Sequence, residues 1–401
     1  MITIVQECSP LMPGYNELIY LVNSSNKAQA NFKYVCDVYV AGVKVDRLDT
    51  PPHPSYGTGM FNPSRIIESY ISKDIAMTDT GITHNPNSYI NYQLRFGESY
   101  GASSSGVTVY ADMTLTGQKY IWNGVYDYQD ACVYSSGDII AAPSNNTKFQ
   151  TNKPSSGDIE IDDNSWLYWC NFNLDTDYAK IITRNSSLAT IGTWKVSLKT
   201  AGLRFLRMPT GINMNSIASG SLSLGVQPIL TGTEHSYSIQ IFDSSNRALT
   251  ELYYYTIVSN CSKYTKTRLQ FLNKKGGYDF FDFNKVSKWN SDIEKYNYKK
   301  SLGSYTSSTS FAYNVNDRAN TQFHTKIKDK ITLESDWVTE AQMIWLEELL
   351  TSPDVYLENG TSLIPINITN TSFERKKQVN KHLFNLQIEY TFSYDRYRQR
   401  F

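Results

Sequence analysis

Apolar and polar residues alternate along much of this 401-residue chain, the pattern of half-buried β-strands. The clearest case is residues 32–40, where every even position from Phe32 to Val40 is apolar or aromatic. Ala41-Gly42 supplies a turn before residues 43–45, so this region is predicted to be a β-hairpin. Further strands, flanked by turn-forming residues, are predicted at Tyr89–Phe96, Val107–Leu115, Trp166–Phe172, Thr193–Leu198, Ser236–Phe242 and Leu252–Val258.

One helix is predicted near residues 340–351. Thr339 and Gln342 have the spacing of a capping box, and Val338 is placed to pack on Met343 as a hydrophobic staple. Pro353 ends the element. The apolar stripe of this helix is predicted to be Met343, Leu346 and Leu349 or Leu350.

Short strands at this spacing favour β-sandwiches. We predict a mainly β protein, with two β-sandwich-like domains followed by a C-terminal β-rich domain that carries one packed α-helix. The predicted divisions are an N-terminal sandwich at 1–122, a loop-rich connection at 123–165, a second sandwich at 166–261 and the C-terminal domain at 262–401. In that last domain a strand at Val355–Leu357 should be followed by a type I′ turn at Asn359-Gly360.

The composition indicates a folded chain with a formal net charge of zero. Hydrophobic residues make up 40% and charged residues 19%, and 38 basic groups balance 38 acidic groups. The balance shifts along the chain, because residues 262–401 carry 21 basic and 16 acidic groups (21 − 16 = +5). A neutral chain has no overall attraction to nucleic acid or to an anionic membrane. We therefore predict no specific nucleic-acid binding and no membrane partner.

The amino terminus has no basic segment followed by an apolar run, so we expect no secretory signal. The chain also contains no run of eighteen apolar residues. The five cysteines have no metal-ligand spacing and are predicted to be reduced, buried thiols: Cys8, Cys36, Cys132, Cys170 and Cys261.

Local motifs that accompany catalysis are absent from the sequence. It contains no Gly-x-Ser-x-Gly, HExxH, Gly-x-x-x-x-Gly-Lys-Ser/Thr or Gly-x-Gly-x-x-Gly motif. The five histidines are isolated in the sequence: His53, His84, His235, His324 and His382. We therefore predict a non-enzymatic protein with no catalytic residue, no cofactor and no metal.

Two features leave a binding role open. The run from Asp158 to Asp163 offers four carboxylates in six residues, which suits Ca²⁺, but its alternation with Ile159 and Ile161 favours a strand with a solvated polar face. Tyr253-Tyr-Tyr255 is the densest cluster among 30 tyrosines. Aromatic rings can stack on sugars, yet Tyr is also a common strand residue, and we favour the second interpretation.

Several stretches share structural turns and the capped helix with a known group of proteins: Phe32–Ile71, Asn260–Tyr264, Arg268–Asp279 and Trp345–Leu357. In these stretches the chain resembles virion proteins of tailed phages and prophages of Bacteroidetes hosts, including crAss-like phages. Residues 90–260 match less clearly. The resemblance implies a tail, tail-hub or neck/collar ring protein, located in the virion and made in the host bacterial cytoplasm. Its partners would be copies of itself in a cyclic homo-oligomer and neighbouring virion proteins.

The basic, aromatic carboxy-terminal tail is the predicted contact with a neighbouring subunit. The residues proposed for it are Tyr394, Arg396, Tyr397, Arg398, Arg400 and Phe401. A solvated chain end is the alternative. A second class of function also stays open, a tail-tip receptor- or carbohydrate-binding module that uses Tyr and Trp side chains as its platform.

Overall fold

The computed structural model describes residues 2–75, 81–101, 113–143, 147–198, 204–217, 222–224, 228–259, 263–370 and 383–397. These residues form a mainly β protein, as the alternation predicts. The chain divides into two compact units. The first consists of Met1–Asn260 and Leu272–Asp279, and the second of Cys261–Phe271 and Phe280–Phe401. The finer divisions at 1–122, 123–165, 166–261 and 262–401 stay predictions.

Most strands precede residue 260. They are β1 (Ile2–Gln6), β2 (Leu11–Pro13), β3 (Tyr20–Ser24), β4 (Lys33–Val40), β5 (Val43–Thr50), β6 (Gly59–Phe61), β7 (Thr83–His84), β8 (Tyr89–Ser99), β9 (Thr114–Leu115), β10 (Lys119–Trp122), β11 (Ser156–Glu160), β12 (Trp166–Cys170), β13 (Tyr178–Arg184), β14 (Thr190–Ser197), β15 (Phe205–Pro209), β16 (Leu222–Leu224), β17 (Ser236–Phe242) and β18 (Tyr253–Val258). Two short helices lie among them, α1 (Ser64–Glu68) and α2 (Tyr128–Cys132).

The remaining elements follow residue 266. They are β19 (Thr267–Leu272), β20 (Tyr278–Phe283), β21 (Lys288–Lys299), β22 (Ser304–Ser307), β23 (Ser310–Ala312), β24 (Asn320–Glu334), β25 (Val338–Thr339), α3 (Glu340–Thr351), β26 (Val355–Asn359), β27 (Ser362–Ile368), β28 (Leu383–Phe384), β29 (Gln387–Phe392) and β30 (Arg396–Tyr397).

Two β-sandwiches build the first unit. In one, the sheet β2-β10-β8-β4-β5, with β9 beside β8, packs on the sheet β1-β3-β6. The hydroxyls of Tyr20 in β3 and Tyr92 in β8 are 2.8 Å apart and join the two sheets inside the core. In the other, the sheet β11-β18-β17-β13-β14-β16 packs on the sheet β12-β15-β7. Strand β7 pairs with β15 in the second sandwich, although in the sequence it lies between β6 and β8 of the first sandwich.

The hairpin predicted at residues 32–45 is confirmed. Tyr34, Cys36 and Val38 of β4 are fully buried, and the turn residues Ala41 and Gly42 both have positive φ, 49° and 81°. Two positive φ values in a two-residue loop define a type I′ turn, which matches the twist of the paired strands. The predicted strands at residues 89–96, 166–172, 193–198, 236–242 and 252–258 are present as β8, β12, β14, β17 and β18. Most of Val107–Leu115 lies outside the described residues, and Thr114–Leu115 form β9.

The predicted helix is confirmed as α3. The Thr339 side chain accepts the Gln342 N–H and the Gln342 side chain accepts the Thr339 N–H, which completes the capping box. The stripe of Met343, Leu346 and Leu349 is buried against the eight-stranded sheet β20-β19-β26-β27-β29-β24-β21, which β30 joins beside β24.

The turn after β26 lies one residue later than predicted. Asn359 pairs with Ser362, so the two-residue loop is Gly360-Thr361 and not Asn359-Gly360. Only Gly360 has a positive φ, 61°, which is the first-position requirement of a type II′ turn. The prediction of a type I′ turn was therefore wrong, because Asn359 keeps its place in the strand ladder.

The segment Leu272–Asp279 belongs to the first unit although its flanking residues belong to the second. Asn273 Nδ2 donates to the Gln150 carbonyl at 2.9 Å, and the Val125 N–H donates to the Lys274 carbonyl at 2.8 Å. Gly276 has a φ of +82°, and a Cβ at this position would lie 2.1 Å from the Asn123 carbonyl oxygen. Both the backbone conformation and the close approach thus require glycine.

Gly276→Ala should destabilise the protein more than Gly232→Ala. Gly232 has a similar φ of +89° but no atom within 4 Å of a Cβ, so only the cost of the left-handed conformation, about 1–2 kcal/mol, applies there. Gly276→Ala adds the collision with Asn123, which we expect to cost a further ~1–3 kcal/mol. Urea unfolding followed by tryptophan fluorescence measures both. Equal losses in the two variants would contradict the close approach.

Candidate assembly interface: an exposed aromatic arm

Residues 288–325, here called the arm, form a two-stranded ribbon at one end of the eight-stranded sheet. None of the twelve residues of β21 is buried. Its partner β24 is exposed or half-buried through His324, and alternate residues become buried from Thr325 onward. A small hairpin of β22 and β23 lies between the two long strands. The arm is therefore solvated on both faces, whereas the remainder of β24 has one dry face.

A β-bulge shapes the arm. β21 pairs with β24 from Lys288 opposite Thr332 to Lys299 opposite Asn320, and the register shifts between Tyr296 and Asn297. Phe323 is the extra residue, because Tyr296 faces His324 and Asn297 faces Gln322. Bulges twist a strand and redirect a side chain. Here the redirected Phe323 ring lies 6.4 Å from the ring of Tyr296 and 6.0 Å from the ring of Tyr298.

Five rings, here called the arm cluster, group on one face of the arm: Tyr296, Tyr298, Phe323, His324 and Tyr397. The His324 ring lies 5.7 Å from Tyr296 and 5.6 Å from Tyr397. Tyr296, Tyr298, Phe323 and Tyr397 keep 45%, 46%, 41% and 53% of their surface exposed. A contiguous exposed aromatic patch of this kind is typical of a contact surface.

Aromatic residues also mark both ends of the arm. At the base, the Phe392 ring lies 5.9 Å from the half-exposed Trp289 and 5.5 Å from the half-exposed Tyr394. At the tip, Tyr305 and Tyr313 are 80% and 75% exposed and flank Phe311 edge-to-face.

The carboxy-terminal strand β30 docks on the base of the arm. Arg396 pairs with Ile327, and Tyr397 pairs with Lys326, in a ladder of two residue pairs. The Lys326 ammonium also lies 3.0 Å from the Asp395 carboxylate. This docking is how Tyr397, distant in sequence, enters the arm cluster.

A buried carboxylate anchors that docking. Asp329 accepts hydrogen bonds from Ser291 Oγ at 2.5 Å, Trp289 Nε1 at 3.2 Å and Arg396 Nη2 at 3.1 Å. Burial alone would raise the pKa of the Asp329 carboxyl, but the Ser291 and Trp289 hydrogen bonds and the Arg396 charge together hold that pKa below its ordinary value. The ionised form of Asp329 thus ties β21, β24 and β30 together.

The structure places three of the six predicted contact residues. Tyr397 lies in the arm cluster, Arg396 contacts Asp329 of its own chain, and Tyr394 stacks on Phe392. Arg398, Arg400 and Phe401 lie outside the described residues. The proposal that these residues contact a neighbour stays a prediction.

The sequence interpretation missed the arm. The sequence feature that indicates the arm is a stretch without the strict alternation of a half-buried strand. In it, large apolar and aromatic residues lie among charged ones: Trp289, Ile293, Tyr296 and Tyr298. The bulge at Phe323 further breaks the pattern in β24.

The other candidate sites resolve into structural roles. The acidic run begins as strand β11, and the Asp163 carboxylate accepts the Glu160 N–H at 3.2 Å instead of converging with other carboxylates. Tyr253 and Tyr255 are buried in the core of the second sandwich, which agrees with their interpretation as strand residues. Within the described residues, no group of three His, Cys, Asp or Glu side chains can hold a metal ion.

The cysteine prediction was correct in part. Cys36 and Cys170 are buried free thiols, and burial raises the pKa of the Cys170 thiol to about 12. Cys8 is half-buried, and Cys132 is exposed at the end of α2, so the prediction was wrong for Cys132. Cys261 and His382 lie outside the described residues. No helix in the part of the chain that is described has the length and apolarity to cross a membrane.

Asp329→Asn should loosen β30. The variant removes the charge that attracts Arg396, and we expect the local opening of β30 to become easier by about 1 kcal/mol, or roughly fivefold faster amide exchange at Arg396 and Tyr397. Because the folded pKa of Asp329 is depressed, its stabilising effect is present above the ordinary Asp pKa of about 3.9 and is lost as pH falls below it. Wild type should therefore approach the variant in acid. Asp292→Asn, on the same arm, is the control, and equal exchange in all three proteins would contradict the anchor.

Comparison with known proteins gives no match: no family model and no curated protein matches this sequence.

Proposed function

We propose that this chain is a structural component of a tailed-bacteriophage virion, in the tail, tail hub or neck/collar ring. It assembles with copies of itself in a cyclic homo-oligomer and contacts neighbouring virion proteins. The observation that carries the proposal is the arm, a ribbon exposed on both faces whose largest side chains are aromatic.

The arm gains little stability from its own chain. A two-stranded ribbon without a dry face is marginally stable in water, and cross-strand aromatic pairs add only about 0.2–1 kcal/mol each. Against a partner, Tyr296, Tyr298 and Phe323 could bury the 45%, 46% and 41% of their surface that stays exposed. Tyr and Phe are also enriched at subunit contacts, because one ring supplies a large apolar area with few rotatable bonds. A neighbouring subunit is the partner that satisfies these side chains.

The phage context rests on the resemblance. Two of the resembling stretches coincide with defined structural elements. Arg268–Asp279 contains the segment that requires glycine at position 276, and Trp345–Leu357 covers most of α3 and the start of β26. These are the positions at which one fold demands particular residues. The resemblance in these two stretches thus has a structural explanation, and it does not specify a position in the particle.

Carbohydrate binding is the second candidate. Tyr305 and Tyr313 at the arm tip are more exposed than any residue of the arm cluster, and a sugar ring can stack on such faces. A glycan array with the purified chain separates the two functions. Selective binding that Tyr305→Thr and Tyr313→Thr abolish, by a chain that does not assemble, would favour a tail-tip receptor-binding module.

Replacing the arm aromatics should prevent assembly. The triple variant Tyr296→Thr, Tyr298→Thr and Phe323→Thr keeps strand propensity but removes the apolar surface. We expect at least a tenfold rise in the concentration at which half the chains are oligomeric, measured by mass photometry. The matched control replaces three exposed tyrosines of the first unit by threonine: Tyr56, Tyr70 and Tyr128. A monomeric wild type, or equal effects of the two triple variants, would refute the arm as the contact.

Deleting residues 394–401 should impair assembly while the fold stays intact. The deletion removes Tyr397 from the arm cluster and the Arg396 partner of Asp329. Circular dichroism and thermal unfolding report the fold, and mass photometry reports the oligomer. Full-sized oligomers of the truncated chain would refute the role of the tail.

Placement in the virion has its own test. Purified particles of a phage that encodes this chain should contain it at a fixed copy number, and immunogold labelling should mark the tail or neck. A chain that is absent from purified particles would refute the virion assignment even if the protein oligomerises in solution.

A further inference from the structure

Within the described residues, two long strand edges have no neighbouring strand, one in each unit. Among the strands at the ends of the sheets in the described residues, β21 with twelve residues and β5 with eight are the longest. None of the residues of either strand is buried, and neither strand contains proline. Natural proteins keep edge strands short, covered or interrupted, because a long open edge invites another strand. Two such edges in one chain call for a partner for each.

We infer that β5 of one copy pairs with β21 of the next, so that a sheet continues from the first unit of one subunit into the second unit of its neighbour. This inference rests on the proposed self-assembly and names the surface that receives the arm. The contact joins two different edges. It is therefore heterologous, and repeated use of it generates rings or filaments.

The charges of the two units favour this pairing over like-with-like contacts. The second unit carries 19 basic and 15 acidic groups (19 − 15 = +4), and the first unit carries 19 and 23 (19 − 23 = −4). A head-to-tail arrangement brings these opposite signs together, whereas contacts between identical units repel.

Self-pairing of β21 is disfavoured in its four central registers, which pair most of the strand. A two-fold axis normal to the sheet places residues of the same face opposite each other. In every such register one residue, at the axis, therefore faces its own copy. An axis at Asp292, Glu294 or Lys295 sets that residue against its own copy, and an axis at Ile293 sets Asp292 against Glu294. Like charges directly opposite each other destabilise an antiparallel pair.

An antiparallel register between β5 and β21 avoids most of these conflicts. The register that sets Asp46 opposite Lys295 also sets Arg47 opposite Glu294 and Leu48 opposite Ile293. It places Asp49 opposite Asp292, but Lys33 lies 2.7 Å from the Asp49 carboxylate and compensates its charge.

Disulfide trapping tests the contact. In a background with Cys132→Ser, which removes the exposed thiol among the described cysteines, and Cys261→Ser, the variants Asp46→Cys and Lys295→Cys are prepared separately and mixed before mild oxidation. Disulfides require Cα atoms within about 7 Å, so only paired edges link. The mixture should give at least tenfold more disulfide-linked dimer than either variant alone. The double variant Asp46→Cys with Lys295→Cys should give a ladder of linked chains on a non-reducing gel.

The matched control pairs Lys295→Cys with Asp158→Cys, an exposed carboxylate on the five-residue edge strand β11, and should give no linked product. Hydrogen exchange adds a readout that does not depend on register. Amides of both β5 and β21 should exchange at least tenfold more slowly in the oligomer than in the dilute monomer. Oligomers that protect neither strand or only one, or that link Asp46→Cys to itself, overturn the inference and leave the proposed assembly standing. A chain that stays monomeric at every concentration overturns both.

Discussion

A β-strand in water is stable when it has hydrogen-bonded neighbours and one dry face, and most sheets of this chain meet both conditions. β4 has β5 and β8 beside it and buries Tyr34, Cys36 and Val38 between two sheets. β24 meets both conditions only over its second half, where Ile331 and Leu333 reach the core around α3. The residues of β24 before Thr325, and the whole of β21, have one neighbouring strand each and no dry face. The arm is thus the part of the described chain whose stability is least accounted for by its own contacts.

Local chemistry explains which elements the sequence predicts well. Alternation at residues 32–40 and the capping box of Thr339 and Gln342 act over a few residues, so the sequence alone contains the whole interaction. The prediction of a turn at Asn359-Gly360 was wrong for a non-local reason. The register between β26 and β27 extends to Asn359 opposite Ser362, and this extra pair moves the loop by one residue. The strand ladder there outweighed the turn preference of two residues.

The arm and its docking strand could not be predicted, because each depends on contacts between distant residues. Asp329 looks like a surface residue in the sequence, yet Trp289 and Ser291 of β21 and Arg396 of β30 converge on it. Tyr397 was predicted to be a contact residue because it lies in the basic, aromatic carboxy-terminal tail. Its position beside His324, however, depends on the pairing of β30 with β24. His324, one of five histidines without a local motif, acquires its aromatic neighbours through its pairing with Tyr296 of β21 and through the docking of β30, which brings Tyr397. Burial and ring contacts in this region are therefore properties of the fold and not of any short motif.

A chain that assembles through open strand edges must also avoid pairing at random. Lys288, Lys295 and Lys299 supply a deterrent along β21, since an approaching strand must place something other than a cation opposite them. β5 offers Asp46 and Asp49 together with Lys44 and Arg47, a mixed pattern that in the proposed contact would accept β21 in few registers. Specificity then comes from the repulsion in the rejected registers as much as from attraction in the accepted one. A formal net charge of zero gives no long-range repulsion between copies, so in the proposed assembly such local charges would keep the free chain unpaired until the correct edges meet.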